Sequence, residues 1–89
     1  MNIFCTELYE TQLKTILEDF AKEDFAATKS FKLYLDTILI NIHTKAHKYK
    51  KSIYFDNENI KDIPHEDFTI VFYIDKENNN YLILSIVEK

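Results

Sequence analysis

Not one residue of this 89-residue chain is glycine, and its only proline is Pro64. Tight reversals need left-handed backbone, which glycine supplies without a clash; here that conformation must fall on Asn or Asp. The chain offers Asp56-Asn57, Asn59 and the run Asn78-Asn79-Asn80 for the purpose. Helices and strands have to fit between those marks. The same absence excludes every phosphate-cradling loop motif, because such loops need glycine for the backbone to approach the anion.

Residues 2–6, NIFCT, have the composition of a short strand. Thr6 stands three residues before Tyr9 and predicts a helix cap. From Glu7 to about Lys22, the positions Tyr9, Leu13, Ile16, Leu17, Phe20 and Ala21 recur in steps of three and four. That spacing makes one apolar stripe on an amphipathic helix, with Glu7 and Glu10 suited to its positive end. Asp24 is placed to cap a second helix running to about His47. Its core side would hold Ala27, Phe31, Tyr34, Leu35, Ile38, Ile42 and Ala46. Leu33 and Ile40 project from nearly the opposite side, so they either touch a second part of the core or form an exposed strip for a partner.

Residues 52–56, SIYFD, read as a strand followed by a turn, and NIKDIP as another short strand. FTIVFYID (68–75) and YLILSIVE (81–88) alternate in the manner of a hairpin joined by an Asn-rich loop. In the first, Phe68, Ile70, Phe72 and Ile74 share a face opposite Thr69, Val71 and Tyr73. Unbroken alternation in the second sets Leu82, Leu84 and Ile86 against Tyr81, Ile83, Ser85 and Val87. The order assigned to the principal elements, β-α-α-β-β-β, predicts one α+β domain over residues 1–89. Its helical hairpin would pack on one face of a small antiparallel sheet.

The formal charge is −4, which speaks against a protein that grips nucleic acid nonspecifically through its phosphates. The one basic block, HTKAHKYKK from His43 to Lys51, carries Lys45, Lys48, Lys50 and Lys51. It suits either a solvated helix end, favoured by the dipole, or a patch for an acidic partner. His43 and His47 lie four apart without an acid to complete a ligand set, so no metal is expected, and no cofactor either. A lone Cys5 cannot form an internal disulfide and reads as a small buried hydrophobe. No apolar segment reaches the roughly 20 residues of a membrane span. The start, MNIFCTELYE, lacks a basic region leading into an apolar one. The cytoplasm is the expected location.

The stretch NIKDIPHEDFTIVFYIDKENNNYLILSI, residues 59–86, resembles the RelE/ParE superfamily of bacterial toxins. Members of that family have a basic residue on a short strand, an aromatic-led strand, a turn and a last apolar strand. Here Lys61 stands where the family usually has Arg, and Phe68, Ile70, Phe72, Tyr73 and Ile74 fill the aromatic-led strand. The resemblance implies the toxin of a type II toxin–antitoxin system, held inactive by a cognate antitoxin. Its ParE-like branch poisons DNA gyrase by binding, whereas its RelE-like branch cuts messenger RNA on the ribosome. For a nuclease, the resemblance would assign Lys61 as phosphate clamp, His65 or Glu66 as base or acid, and Tyr73 as proton donor. Against that branch, there is no arginine cluster, and lysine lacks arginine's bidentate fork. The terminal SIVEK also lacks the Arg, then His or Tyr, usual in nuclease members. The leading expectation is therefore a non-enzymatic, protein-binding toxin with Leu33 and Ile40 toward its partner. A RelE-like nuclease and a non-toxic interaction module are the alternatives.

Overall fold

The computed structural model describes residues 2–89. A five-stranded sheet carries two long helices on one face. The elements in chain order are β1 (Asn2–Cys5), α1 (Glu7–Glu23), α2 (Phe25–Ile40), the single-turn α3 (Ile42–Lys45), a 3-10 turn (Ala46–Lys48), β2 (Lys50–Lys51), β3 (Ile60–His65), β4 (Phe68–Asp75) and β5 (Asn80–Glu88). The α+β class and the helical hairpin over the sheet are as expected. The sheet itself, ordered β1-β5-β4-β3-β2, is mixed, because β1 runs parallel to β5 while every other pair is antiparallel. No hairpin joins β1 to β5; both helices and three strands intervene, so nothing local imposes an antiparallel direction.

The two helix starts follow from their caps. Thr6 Oγ1 accepts from the Tyr9 N–H at 3.1 Å, and Asp24 Oδ1 accepts from the Ala27 N–H at 3.1 Å. Asp24 also ends α1, its own N–H donating to the Phe20 carbonyl at 2.8 Å. One residue thus closes one helix and opens the next, which folds the pair into a tight hairpin. The second helix is shorter than its periodicity suggested: it stops at Ile40, and Asn41 separates it from α3. Asn41 Nδ2 donates back to the Thr37 carbonyl at 2.9 Å, and the Thr44 N–H and hydroxyl both turn to the Asn41 carbonyl. Such side-chain competition with the helix ladder is what Asn and Thr offer. Ile42 and Ala46 are nevertheless buried as expected, while Ala27 and Tyr34 are exposed and Leu39 takes a core position instead.

The core lies between the helices and the near face of the sheet. Tyr9 and Leu13 of α1 and Phe31, Leu35 and Leu39 of α2 meet Ile63, Phe68, Ile70, Phe72, Tyr81, Ile83 and Ile86. Phe72, Leu35, Ile70 and Ile83 have no exposed surface at all. Each such side chain stabilises the fold by roughly 2–3 kcal/mol. Regular alternation along β5 would have split Tyr81 and Ile83 from Ile86, yet all three face the helices. A β-bulge reconciles them: Val71 pairs with Ser85 but Phe72 pairs with Ile83, leaving Leu84 as the extra residue. The bulge shifts the parity of the strand by one and brings both ends of β5 onto the core.

Beyond Cys5 the outer edge of β5 has no neighbouring strand, and α1 covers it instead. The Thr6 N–H donates to the Ile83 carbonyl at 3.0 Å, the Thr6 hydroxyl to the Leu84 carbonyl at 2.8 Å, and the Ile86 N–H to Gln12 Oε1 at 2.9 Å. Backbone groups that a sixth strand would have taken are met by side chains.

Residues 52–56, expected as a strand, are not one. The ladder ends when the Ser52 N–H reaches the Ile60 carbonyl at 2.7 Å. The next N–H groups are captured by side chains, Ile53 by Asp62 Oδ2 at 3.0 Å and Tyr54 by Ser52 Oγ at 3.1 Å. Left-handed backbone occurs at Asn79 (φ 55°), within the expected Asn run, and at Glu66 (φ 53°), which was not expected. Glu66 is the first of only two residues between the paired His65 and Phe68, so the β3–β4 turn forces the conformation on a residue that resists it.

Candidate functional site

The candidate nuclease residues are all supplied by β3, β4 and the turn between them. His65 ends β3 on the helix side of the sheet, its ring 5.2 Å from that of Phe31 of α2. Its Nε2 is buried and has no hydrogen-bond partner. Lys61 pairs with Phe72 on one side and Lys51 on the other, and strand alternation places it on the helix face with Ile63 and His65. Tyr73 pairs with Ile60, and because Phe72 and Ile74 pack toward the helices it faces the other way. Glu66 is exposed at the turn. Lys61 and His65 therefore share one face, Tyr73 lies on the other, and Glu66 sits beyond the end of both strands.

Two lysines directly opposite each other would repel, and the loop after β2 relieves that. Lys51 Nζ lies 2.9 Å from Asp56 Oδ1 and 3.7 Å from Glu58 Oε1. The hydrogen bond and charge of Lys51 hold the Asp56 carboxyl below its ordinary range, and Asp56 raises Lys51 in return. Of the basic block, Lys45, Lys48 and Lys50 stay exposed, without an ion pair among the described residues. His43 and His47 fall on α3 and on the 3-10 turn, so they do not share one continuous helix face.

Leu33 and Ile40 are each 67% exposed on the outer side of α2. Leu33 has company that the periodicity had not singled out. Phe25, 65% exposed, lies with it along a shallow depression that also includes Leu17 and the Lys32–Asp36 ion pair. Further exposed apolar residues are Phe4 and Leu8 at the β1–α1 corner and the consecutive Ile53, Tyr54 and Phe55 after β2. Their signal was present in the sequence but was absorbed into strand and helix assignments.

A groove of about 500 Å³ runs between α1 and α2 over Tyr9, Leu13, Leu17 and Leu39, with Glu10, Lys14 and Glu18 among the charged residues along it. Cys5 opens onto it and is exposed, correcting the expectation that this thiol is buried. Partial desolvation, with Glu10 adding to it, raises the Cys5 thiol above its ordinary range. The Tyr9 hydroxyl is buried without a partner, and desolvation pushes it far above the usual tyrosine range. No helix among the described residues is long and apolar enough to cross a membrane.

No protein-family profile matches the chain, and neither does any curated protein. Solved structures do. A chain from the chromosomal ParDE toxin–antitoxin system of P. aeruginosa superposes with a TM-score of 0.75 at 14% identity, covering 99% of this chain and 95% of that one. A chain of the RelBE2 toxin–antitoxin complex from Mycobacterium tuberculosis superposes with a TM-score of 0.65 at 10% identity, covering 99% and 96%. The fold is that of the RelE/ParE toxins.

Within this RelE/ParE-like frame, the sheet face turned from the helices carries Thr69, Val71 and Tyr73 of β4 beside Leu82, Ser85 and Val87 of β5. No histidine, lysine or glutamate on β4 or β5 joins Tyr73 in the middle of that face. What the geometry does bring together is apolar and aromatic surface along α2 and carboxylates at the α1–α2 corner.

Proposed function

We propose that this chain is the toxin of a type II toxin–antitoxin system and acts by binding a protein target, in the ParE-like manner. The observation that carries this reading is the division of Lys61 and His65 from Tyr73 by the sheet. Cleavage through a 2′-hydroxyl needs a base, a cationic clamp and an acid around one phosphate, within hydrogen-bond reach of it. Side chains on opposite faces do not meet that requirement. The chain also contains no arginine, the residue best shaped to clamp a phosphate with two parallel bonds. Binding needs only exposed surface, and Leu33, Ile40 and Phe25 provide it on the helical hairpin.

On this reading the chain works in the cytoplasm, DNA gyrase is its target, and a cognate antitoxin restrains it through contacts that include Leu33 and Ile40. Induced expression tests the proposal. Filamentation with SOS induction is the expected result. Abrupt arrest of translation with cleaved messages would instead assign the chain to the RelE-like branch, and no effect on growth would leave an interaction module. Co-purification with the product of an adjacent gene tests the antitoxin separately.

A further inference from the structure

Where the α1–α2 corner meets the β3–β4 turn, a second cavity of about 500 Å³ is walled by the rings of Phe20, Phe31 and Tyr34 and edged by the carboxylates of Glu23, Asp24 and Glu66. We propose that this cavity receives an arginine side chain from a partner protein. Three observations lead there. The floor is well packed: Phe31 is 3% exposed and meets Phe20 edge to face at 5.0 Å. The charge is of one sign, since no lysine lines the cavity, and none of the three carboxylates has an ion pair among the described residues. Lys22, the nearest basic residue in sequence, lies 3.9 Å from Asp19 instead.

Nor does the fold account for all of these acids. Asp24 caps α2, but neither Glu23 nor Glu66 makes a side-chain hydrogen bond or ion pair among the described residues. A cation over an aromatic face gains from the ring quadrupole as well as from nearby carboxylates. Guanidinium fits best of the protein cations, because its plane stacks on a ring while its edge forks to a carboxylate.

The inference does not depend on the toxin reading and is tested on the chain alone. A blocked Gly-Arg-Gly tripeptide is titrated into isotope-labelled protein while the ring resonances of Phe20, Phe31 and Tyr34 are followed by NMR. The same tripeptide with citrulline in place of arginine, and tetramethylammonium, are run beside it. Saturable shifts with arginine and not with citrulline are expected, weakened about tenfold in the Glu23→Gln, Glu66→Gln double variant, as for loss of a charge-assisted contact. A Tyr34→Ala variant should weaken binding as well and removes only an exposed ring. Absent shifts, equal shifts with citrulline, or unchanged binding in both variants overturn the proposal. Equal binding of tetramethylammonium overturns the choice of arginine, leaving a cavity for any small cation.

Discussion

The hydroxyl of Thr6 donates to the carbonyl of Leu84 at 2.8 Å and accepts from the N–H of Tyr9 at 3.1 Å. One side chain thus pins the bulged residue of the last strand and starts the first helix. Thr6→Ala should destabilise the chain by about 1–2 kcal/mol, the range for a lost cap. Thr6→Ser, which keeps the oxygen, should recover most of it. Urea unfolding of the three proteins decides the matter; an alanine variant as stable as the parent would remove Thr6 from this role.

Tyr9 carries the opposite lesson, because its buried hydroxyl has no partner. Replacing an unsatisfied group by an apolar one of the same shape removes a desolvation penalty of about 1–3 kcal/mol. Tyr9→Phe is therefore expected to match or exceed the parent in stability. The pH dependence has a definite sign. Because the folded state holds Tyr9 above its ordinary value, its stabilisation is complete below the usual tyrosine range near 10 and declines as pH rises through it. The phenylalanine variant should lose that alkaline slope, which equilibrium unfolding at pH 8 to 11 would reveal.

At the β3–β4 turn, Glu66 holds a left-handed backbone that Asn adopts more readily. Glu66→Asn should stabilise the chain by roughly 1 kcal/mol. A drop in melting temperature instead would mean that the glutamate side chain makes up for its backbone.

Leu33→Glu with Ile40→Glu should shift stability by less than about 0.5 kcal/mol, as for exposed positions. The pair should still abolish co-purification with the proposed antitoxin. Retained co-purification would move the partner contact off this side of α2.

Lys61→Ala and Tyr73→Ala should leave growth inhibition unchanged if the chain acts by binding. Loss of toxicity in both, with the fold intact by circular dichroism, would restore the nuclease assignment.

Most of the architecture was legible because caps and periodicity are local. Thr6 and Asp24 announced both helix starts, and FTIVFYID announced β4 to the residue. What failed depended on side-chain bonds and strand pairing that apolar periodicity does not record. The helix break at Asn41 set local side-chain bonds against an apolar stripe that continues through it. The strand assigned to residues 52–56 was lost to Asp62 and Ser52, whose competition for backbone N–H groups leaves no trace in periodicity. The parity change at Leu84 comes from pairing with β4, and no pattern within β5 marks it. Candidate site residues were harder still. Lys61, His65 and Tyr73 lie close in sequence, and only the strand register separates Tyr73 from the other two. The cavity at Phe20, Phe31 and Tyr34 joins two helices and a turn through residues that the periodicity read simply as core.

The left-handed positions at Glu66 and Asn79 have a consequence for the denatured ensemble. Glu66 strains its turn where Asn79 does not, yet a chain wholly without glycine visits fewer backbone states when disordered and so surrenders less entropy as it collapses. For a molecule this small, stiffness before folding offsets part of what its modest interior cannot supply. Glycines introduced into its exposed loops should therefore weaken it even where they touch nothing.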